Sequence, residues 1–236
     1  MSTLIELHGI VKAYPALRPL RVHALTAGSS DRLALRGFDE SAAEMFIHLV
    51  TGAAVPDEGT VRVAGRLTTE ITTDTEWLTS LDRFGIVTHR AVLIDKLSVA
   101  SNMALPLTVS IDPIPPDIRA KVDALAADAG FDVATLDREV ASLSDEDRLR
   151  LHLARAVANG PDLVLLEHPT ARLGGGREAS ERFGRTLAGL SSARGFGWIA
   201  LTEDEAFATA AGGRVLELKP ATGELAAPKR GWRAWF

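Results

Sequence analysis

Residues 153–170 read LARAVANGPDLVLLEHPT, and this stretch decides the fold. Leu153, Ala156 and Val157 recur at helical spacing, and Pro161 marks the end of the helix because proline does not continue one. Residues 163–166 then form a continuous apolar run, which is typical of a strand buried on both faces of a sheet. The sequence therefore predicts a helix followed by a central strand.

Helices and strands alternate on both sides of this stretch. Further strands are predicted at residues 4–11, 32–35, 60–64, 84–88, 198–201 and 214–218, with a loop-rich, strand-like meander between the first two. Helices are predicted from Ser41 to the stop at Gly52, over residues 117–129, after the N-cap Ser144, over 178–190, and before the last strand. This alternation predicts an α/β protein with a largely parallel sheet and a helical insert in the middle of the chain.

Composition excludes several classes of protein. The 236 residues include no cysteine, so disulfides, thiolate metal sites and cysteine nucleophiles are ruled out. No run of eighteen apolar residues is present and the N-terminus has no basic, apolar leader, which favours a cytoplasmic location. The net charge of −5 argues against broad binding to nucleic acid.

Three fragments carry a resemblance to a known family. LVTGAAVPDEGTVRVAG at residues 49–65, KLSVASNMALPL at 96–107 and the 153–170 stretch resemble the nucleotide-binding subunit of ABC transporters, in an order that covers residues 4–218. The resemblance implies a P-loop NTPase-like, mostly parallel core sheet with an N-terminal antiparallel β subdomain. It implies one domain over residues 1–220, a helical subdomain at about 90–160, and a separate tail at 221–236.

The family's phosphate loop is altered in this chain. It should read G-x-x-x-x-G-K-S/T, and the matching segment is GFDESAAEM at residues 37–45. Gly37 is kept, whereas Ala42, Ala43 and Glu44 replace the second glycine, the lysine and the magnesium-binding hydroxyl. The degenerate loop, with Ser41 beside these positions and no base within it, predicts weak or no ATP binding. No cofactor is expected, and ATP and Mg²⁺ follow from the resemblance only.

The other catalytic motifs are altered as well. His89 stands at the position of the Q-loop glutamine, Glu167 and His168 at those of the metal-ordering acid and the general base, and Glu203 at that of the switch histidine. These changes predict a pseudo-ATPase, which is not an enzyme and has no catalytic residue and no metal site. Two alternatives remain open: His168 acting as a base, and the two histidines and two carboxylates holding a divalent metal.

Two further positions follow from the resemblance. Tyr14 stands where an aromatic ring stacks on adenine, with a partly buried structural tyrosine as the alternative. The transporter signature LSGGQ matches residues 143–147, so that Ser144, Asp145, Glu146 and Asp147 are the partner-facing residues. The acids there and in the phosphate loop would face each other in a head-to-tail homodimer, so a closed homodimer is predicted to be disfavoured.

By resemblance, the partners are a transmembrane subunit, an intact ABC ATPase subunit, or both, with no nucleic acid. A coupling helix of the transmembrane subunit would sit beside residues 91–107, placing the chain at the inner face of the membrane. The tail residues Trp232, Trp235 and Phe236 suit a membrane interface or a partner's groove, or fold back on the core. Two alternatives stay open: an active ATPase with displaced catalytic groups, and a soluble scaffold or regulator. The fragments resemble subunits of lipid or lipoprotein export machines, but the substrate is not predicted.

Overall fold

The computed structural model describes residues 3–228, which form two sheets surrounded by helices. The strands are β1 Thr3–Lys12, β2 Leu20–Gly28, β3 Arg32–Arg36, β4 Glu58–Val63, β5 Arg66–Leu67, β6 Phe84–Val87, β7 Leu163–Glu167, β8 Gly197–Leu201, β9 Arg214–Lys219 and β10 Glu224–Ala226. The helices are α1 Glu40–Thr51, α2 Asp74–Leu81, α3 Val99–Ala104, α4 Pro116–Asp128, α5 Val133–Leu136, α6 Asp145–Val157, α7 Gly176–Arg194 and α8 Glu205–Ala211.

The smaller sheet is antiparallel, with the strand order β2-β1-β4-β5. Leu7 of β1 lies opposite Leu25 of β2 and Val61 of β4, and all three side chains are buried. Pairs of apolar residues of this kind are what stabilise a half-exposed sheet. The antiparallel N-terminal unit is confirmed, and the expected meander between β1 and β3 contains a regular strand, β2.

The larger sheet has the order β10-β9-β3-β8-β7-β6, and every pair in it is parallel except β10–β9. Every residue of β7 and β8 is buried, because one face of the sheet packs against α6, α7 and α8 and the other against α1 and the smaller sheet. The predicted central strand and the α/β fold class are confirmed. β10 pairs with β9 at the start of the predicted tail, whereas residues 229–236, including Trp232, Trp235 and Phe236, lie outside the described residues.

The helices begin and end largely where the sequence indicates. Ser144 caps α6, since its hydroxyl accepts a hydrogen bond from the Asp147 backbone N–H at 3.1 Å. Gly52 ends α1 in the left-handed conformation. α2 was not predicted, because its short sequence buries no side chain and has little apolar periodicity. Within residues 3–228, every helix is too short or too polar to cross a membrane.

Aromatic contacts fix α7 and α8 against the sheet. The rings of Phe183 and Phe207 stack with centroids 5.7 Å apart, and Trp198 of β8 lies 6.4 Å from Phe207. Large buried aromatic side chains contribute strongly to core stability. These contacts hold the segment between β8 and α8, which carries Glu203, in a fixed position beside the carboxyl end of β3.

Candidate functional site

The candidate site lies at the carboxyl edge of the parallel sheet. β3, β6, β7 and β8 all end there, and α1 begins there. In open α/β sheets, ligands bind at this edge. A cleft of about 200 Å³ at this edge is lined by residues that include Glu40, His89, Asp145, Glu167 and His168.

The segment that matches the phosphate loop is mostly helix, with only a short turn before it. Only residues 37–39 connect β3 to α1, and the residues at the altered loop positions 42–44 belong to the helix. Gly37 has φ +85°, and a Cβ there would lie 2.8 Å from the Leu218 carbonyl oxygen, which accounts for the glycine. Ala42 and Ala43 are buried, while Ser41 is exposed.

Side-chain carboxylates of the same chain accept hydrogen bonds from the backbone N–H groups of this turn. Asp39 is the N-cap of α1, and its Oδ1 accepts from the Ala42 N–H at 2.7 Å. Glu203 Oε1 accepts from the Gly37 N–H at 2.6 Å, and Glu203 Oε2 lies 3.3 Å from Arg36 Nε. Helix N-termini and turn amides attract anions, and here protein carboxylates satisfy two of these amides.

Arg90 enters the site from the loop after β6. Its guanidinium contacts Glu44, with Nε 3.0 Å from Oε1 and Nη2 2.8 Å from Oε2. It also contacts Glu167 Oε1, at 2.7 Å from Nη1 and 2.9 Å from Nη2. The second oxygen of Glu167 accepts the Thr88 hydroxyl at 2.7 Å. The side chain of Glu167 is 3% exposed, so these protein groups take the place of water around its carboxylate.

This contact corrects the charge assigned to the pocket. The only charged residues of the phosphate-loop segment are acids, but the hydrogen bonds and charge of Arg90 hold the pKa of Glu44 below its usual value. Glu44 is therefore a paired carboxylate. Arg90 is the site residue that was missed from the sequence, and its only signal there is a basic residue three positions after the end of β6.

The four altered catalytic positions are only partly brought together. His89, Glu167 and His168 line the cleft, whereas Glu203 binds the turn after β3. His89 is exposed and lies 3.4 Å from Arg90 Nη1. His168 has φ +39°, and its Nε2 is buried without a hydrogen-bond partner. His89 is therefore the altered histidine that is open to solvent, whereas the Nε2 atom of His168 is enclosed by the protein.

His152 of α6 is a further histidine on the cleft. Burial, followed by the charges of Arg155 and Arg148, lowers its pKa from 6.5 to about 4. The folded protein therefore keeps this ring neutral at pH values where the unfolded chain binds a proton. Stability that is present above the unfolded pKa of 6.5 is lost as the pH falls towards about 4.

We expect the free energy of unfolding to fall by about 1–2 kcal/mol between about pH 7 and about pH 5 through His152. His152→Gln should remove this part of the pH dependence, and urea unfolding at the two pH values measures it. His8→Gln is the control, because the side chain of His8 is 59% exposed. An unchanged slope in the His152→Gln protein would contradict the assignment.

The acidic residues that match the transporter signature are largely paired within the chain. Glu146 lies 2.9 Å from Arg182 Nη2, and Asp147 lies 3.3 Å from Arg150 Nη2. Asp145 lines the cleft beside Glu40. Since Glu44 is also paired, the charge argument against a closed homodimer loses most of its basis.

Tyr14 lies beside the same turn. It lines a groove with Gly37, Asp39 and Ala42, and its ring packs partly against the core. Burial, and then the charge of Asp39, raise the pKa of its phenol. This placement suits both the stacking role and the structural one, so stacking on a base stays a prediction.

The donors present do not fit a magnesium ion in the way the family resemblance implies. Glu44 replaces the hydroxyl ligand, and both Glu44 and Glu167 have their oxygens engaged by Arg90 and Thr88. No group of three His, Cys, Asp or Glu residues within 3–228 is arranged to hold a metal ion. The predicted convergence of two histidines and two carboxylates does not form, because Glu203 binds elsewhere.

Comparison with known proteins supports the resemblance. A family model described as ABC transporter matches residues 44–171, which is more than half of the chain. The macrolide export ATP-binding/permease protein MacB 1 of Aeromonas hydrophila is 30% identical over 83% of the chain and 29% of that protein. The Fe(3+) ions import ATP-binding protein FbpC of Serratia marcescens is 28% identical over 87% of the chain and 57% of that protein. The chain therefore spans less than two thirds of these two relatives.

A third relative is matched along most of its length, and solved structures share the fold. The lipoprotein-releasing system ATP-binding protein LolD 1 of Caulobacter vibrioides is 25% identical over 91% of the chain and 92% of that protein. The dimeric post-hydrolysis state of the ATP-binding cassette MJ0796, bound to ADP and Pi, has a TM-score of 0.71 at 21% identity, covering 97% of this chain and 100% of that one. The cbiO1 structure from Clostridium perfringens has a TM-score of 0.75 at 17% identity, covering 95% of this chain and 87% of that one.

The prediction that the chain is a pseudo-ATPase and not an enzyme is wrong. The matched family consists of ATP-binding transport proteins, and the relatives above are named for ATP binding. The physical reason for the error is that the site is not purely acidic, since Arg90 pairs with Glu44 and Glu167 and two further arginines, Arg148 and Arg172, line the cleft. Altered motif positions, read without their three-dimensional partners, do not establish the loss of catalysis.

Proposed function

Because the chain belongs to the ABC transporter family of ATP-binding subunits, we propose that it works as the cassette of a transport complex, docked on a transmembrane subunit at the inner face of the membrane. The observation that carries the proposal is an exposed apolar surface on the segment the resemblance assigns to docking. Val92 and Ile94 are 75% and 44% exposed. Exposed apolar side chains grouped on a surface are characteristic of interaction sites.

The backbone beneath this surface is held in place. Arg155 Nη1 donates to the Val92 carbonyl oxygen at 2.7 Å, and the buried Asn102 bonds both the N–H and the carbonyl of Ile94. Arg155 also lines a neighbouring groove with Phe84 and Ile86 at the start of β6. A rigid apolar surface next to a groove suits a short helix of a membrane subunit, since little ordering is needed on binding.

We expect Val92→Asp together with Ile94→Asp to abolish docking and leave the fold intact. Val92 is largely exposed and Ile94 is about half exposed, so the change in stability should be within about 1 kcal/mol. The assay is co-purification in detergent with the tagged permease subunit encoded nearest this gene. Leu17→Asp with Val133→Asp is the matched control, because these residues are also exposed apolar side chains, 104% and 78% exposed. Equal recovery of both double variants, or no association of the wild-type chain, would contradict the proposal.

A second candidate function is hydrolysis of ATP by this chain with displaced catalytic groups. Arg90 supplies a positive charge to Glu44 and Glu167, and His168 lines the same cleft as Glu167. Histidine side chains commonly act as general acids and bases in catalysis. Release of phosphate by the purified chain, lost in a His168→Ala variant and kept in a His48→Ala variant, would support this candidate.

A further inference from the structure

The unusual feature of the site is a guanidinium lying between two carboxylates at positions the family gives to metal binding. Glu44 replaces the hydroxyl that holds magnesium in the resemblance, and Glu167 stands at the metal-ordering acid. Arg90 makes two contacts to each of them, all within 3.0 Å. We propose that Arg90 is the built-in cation of this site: it takes the place of a divalent metal between α1 and β7, so that the chain recruits no metal there.

The shape and charge of arginine suit this role. A guanidinium is planar, always charged, and presents five N–H donors that match carboxylate oxygens. Glu167 is nearly fully buried, so an ionised carboxylate there requires a positive partner at hydrogen-bond distance. Arg90 supplies that charge, and the Thr88 hydroxyl satisfies the remaining oxygen.

The replacement of the hydroxyl by Glu44 is explained by the same contact. A serine or threonine at position 44 would carry no negative charge to pair with the guanidinium, whereas Glu44 is a carboxylate and accepts from its Nε at 3.0 Å. The altered loop position and the arginine after β6 therefore form one unit. A divalent ion entering the site would have to displace a cation that makes charge-assisted hydrogen bonds to both carboxylates.

The inference deepens the proposed function, since it concerns the cassette site of the same subunit. It is tested on the isolated chain with metal alone, whereas the proposed function is tested on the complex with a membrane subunit. Failure of one is therefore distinguishable from failure of the other.

The experiment titrates the full chain with Mn²⁺ and follows free Mn²⁺ by electron paramagnetic resonance. The wild-type chain is expected to bind no Mn²⁺ with a dissociation constant below about 100 µM. Arg90→Gln keeps a donor for Glu167 while removing the charge, and we expect it to bind Mn²⁺ at least about tenfold more tightly than wild type. Arg83→Gln is the control, because Arg83 pairs with Asp162 away from the site, and it should behave as wild type.

Two results would overturn the proposal. One is tight binding of Mn²⁺ by the wild-type chain that is lost in a Glu167→Gln variant. The other is an Arg90→Gln protein that is folded by circular dichroism and gains no affinity. If Arg90→Gln does not fold, the Mn²⁺ titration of the wild-type chain alone tests the proposal. Thermal melting of the wild-type chain with and without Mg²⁺ is a second test, and no shift in Tm is expected.

Discussion

Replacing Arg90 with alanine is expected to lower the free energy of unfolding by about 3 kcal/mol. The variant leaves Glu167 with only the Thr88 hydroxyl, although its side chain is 3% exposed. Removing one partner of a buried ion pair costs more than the pair contributes, because an uncompensated charge stays in a poorly solvated place. This loss is at the lower end of the range for breaking a buried ion pair. The side chain of Arg90 is 36% exposed, so water can enter part of the space that it leaves beside Glu167. Urea unfolding of the two proteins measures the difference.

A double-mutant cycle separates this effect from a general loss of packing. Glu167→Gln removes the buried charge, so adding it to Arg90→Ala should recover most of the lost stability. Arg83→Ala is the control, because Arg83 and Asp162 form a pair in which both side chains are more than 40% exposed, and it should cost less than about 1 kcal/mol. Additive losses in the double variant would show that Arg90 and Glu167 do not stabilise each other.

Local sequence features predicted the scaffold well, for physical reasons that are themselves local. The apolar run before Glu167 indicated a doubly covered strand, and every residue of β7 is buried. Ser144 before an acidic first turn indicated a helix start, and its hydroxyl caps α6. The strand β2 was missed as a regular element because part of it depends on pairing with β1, which local periodicity does not report.

The charge of the site was not predicted, because it depends on contacts that are distant in the chain. Glu44 and Glu167 lie on either side of Arg90 in sequence, and Arg90 joins them only once β6 and β7 are aligned. The parallel register places Val87 opposite Leu166, which brings the residues after β6 beside Glu167. Counting acids within the phosphate-loop segment therefore overstated the negative charge, because it left out the arginine that pairs with Glu44 and Glu167.

The turn after β3 also depends on a contact between residues that are distant in the chain. Asp39 reaches its amide from the turn itself, whereas Glu203 arrives from the segment between β8 and α8. The two carboxylates hold the positions to which an anion would be drawn at a helix N-terminus. An incoming phosphate therefore competes with groups that are covalently part of the chain and always present.

Removing these two charges is expected to tighten nucleotide binding by about 100-fold, or about 3 kcal/mol, at roughly 1.5 kcal/mol for each charge in a partly hydrated site. Asp39→Asn keeps a good N-cap, and Glu203→Gln keeps an acceptor for the Gly37 N–H, so the turn should stay folded. The affinity for a fluorescent ATP analogue measures the effect. Asp123→Asn with Glu181→Gln changes the net charge equally on exposed helical pairs far from the turn. Because the control alters only the overall charge, an equal gain in both double variants would mean that long-range attraction, and not release of the two amides, governs access of phosphate to this turn.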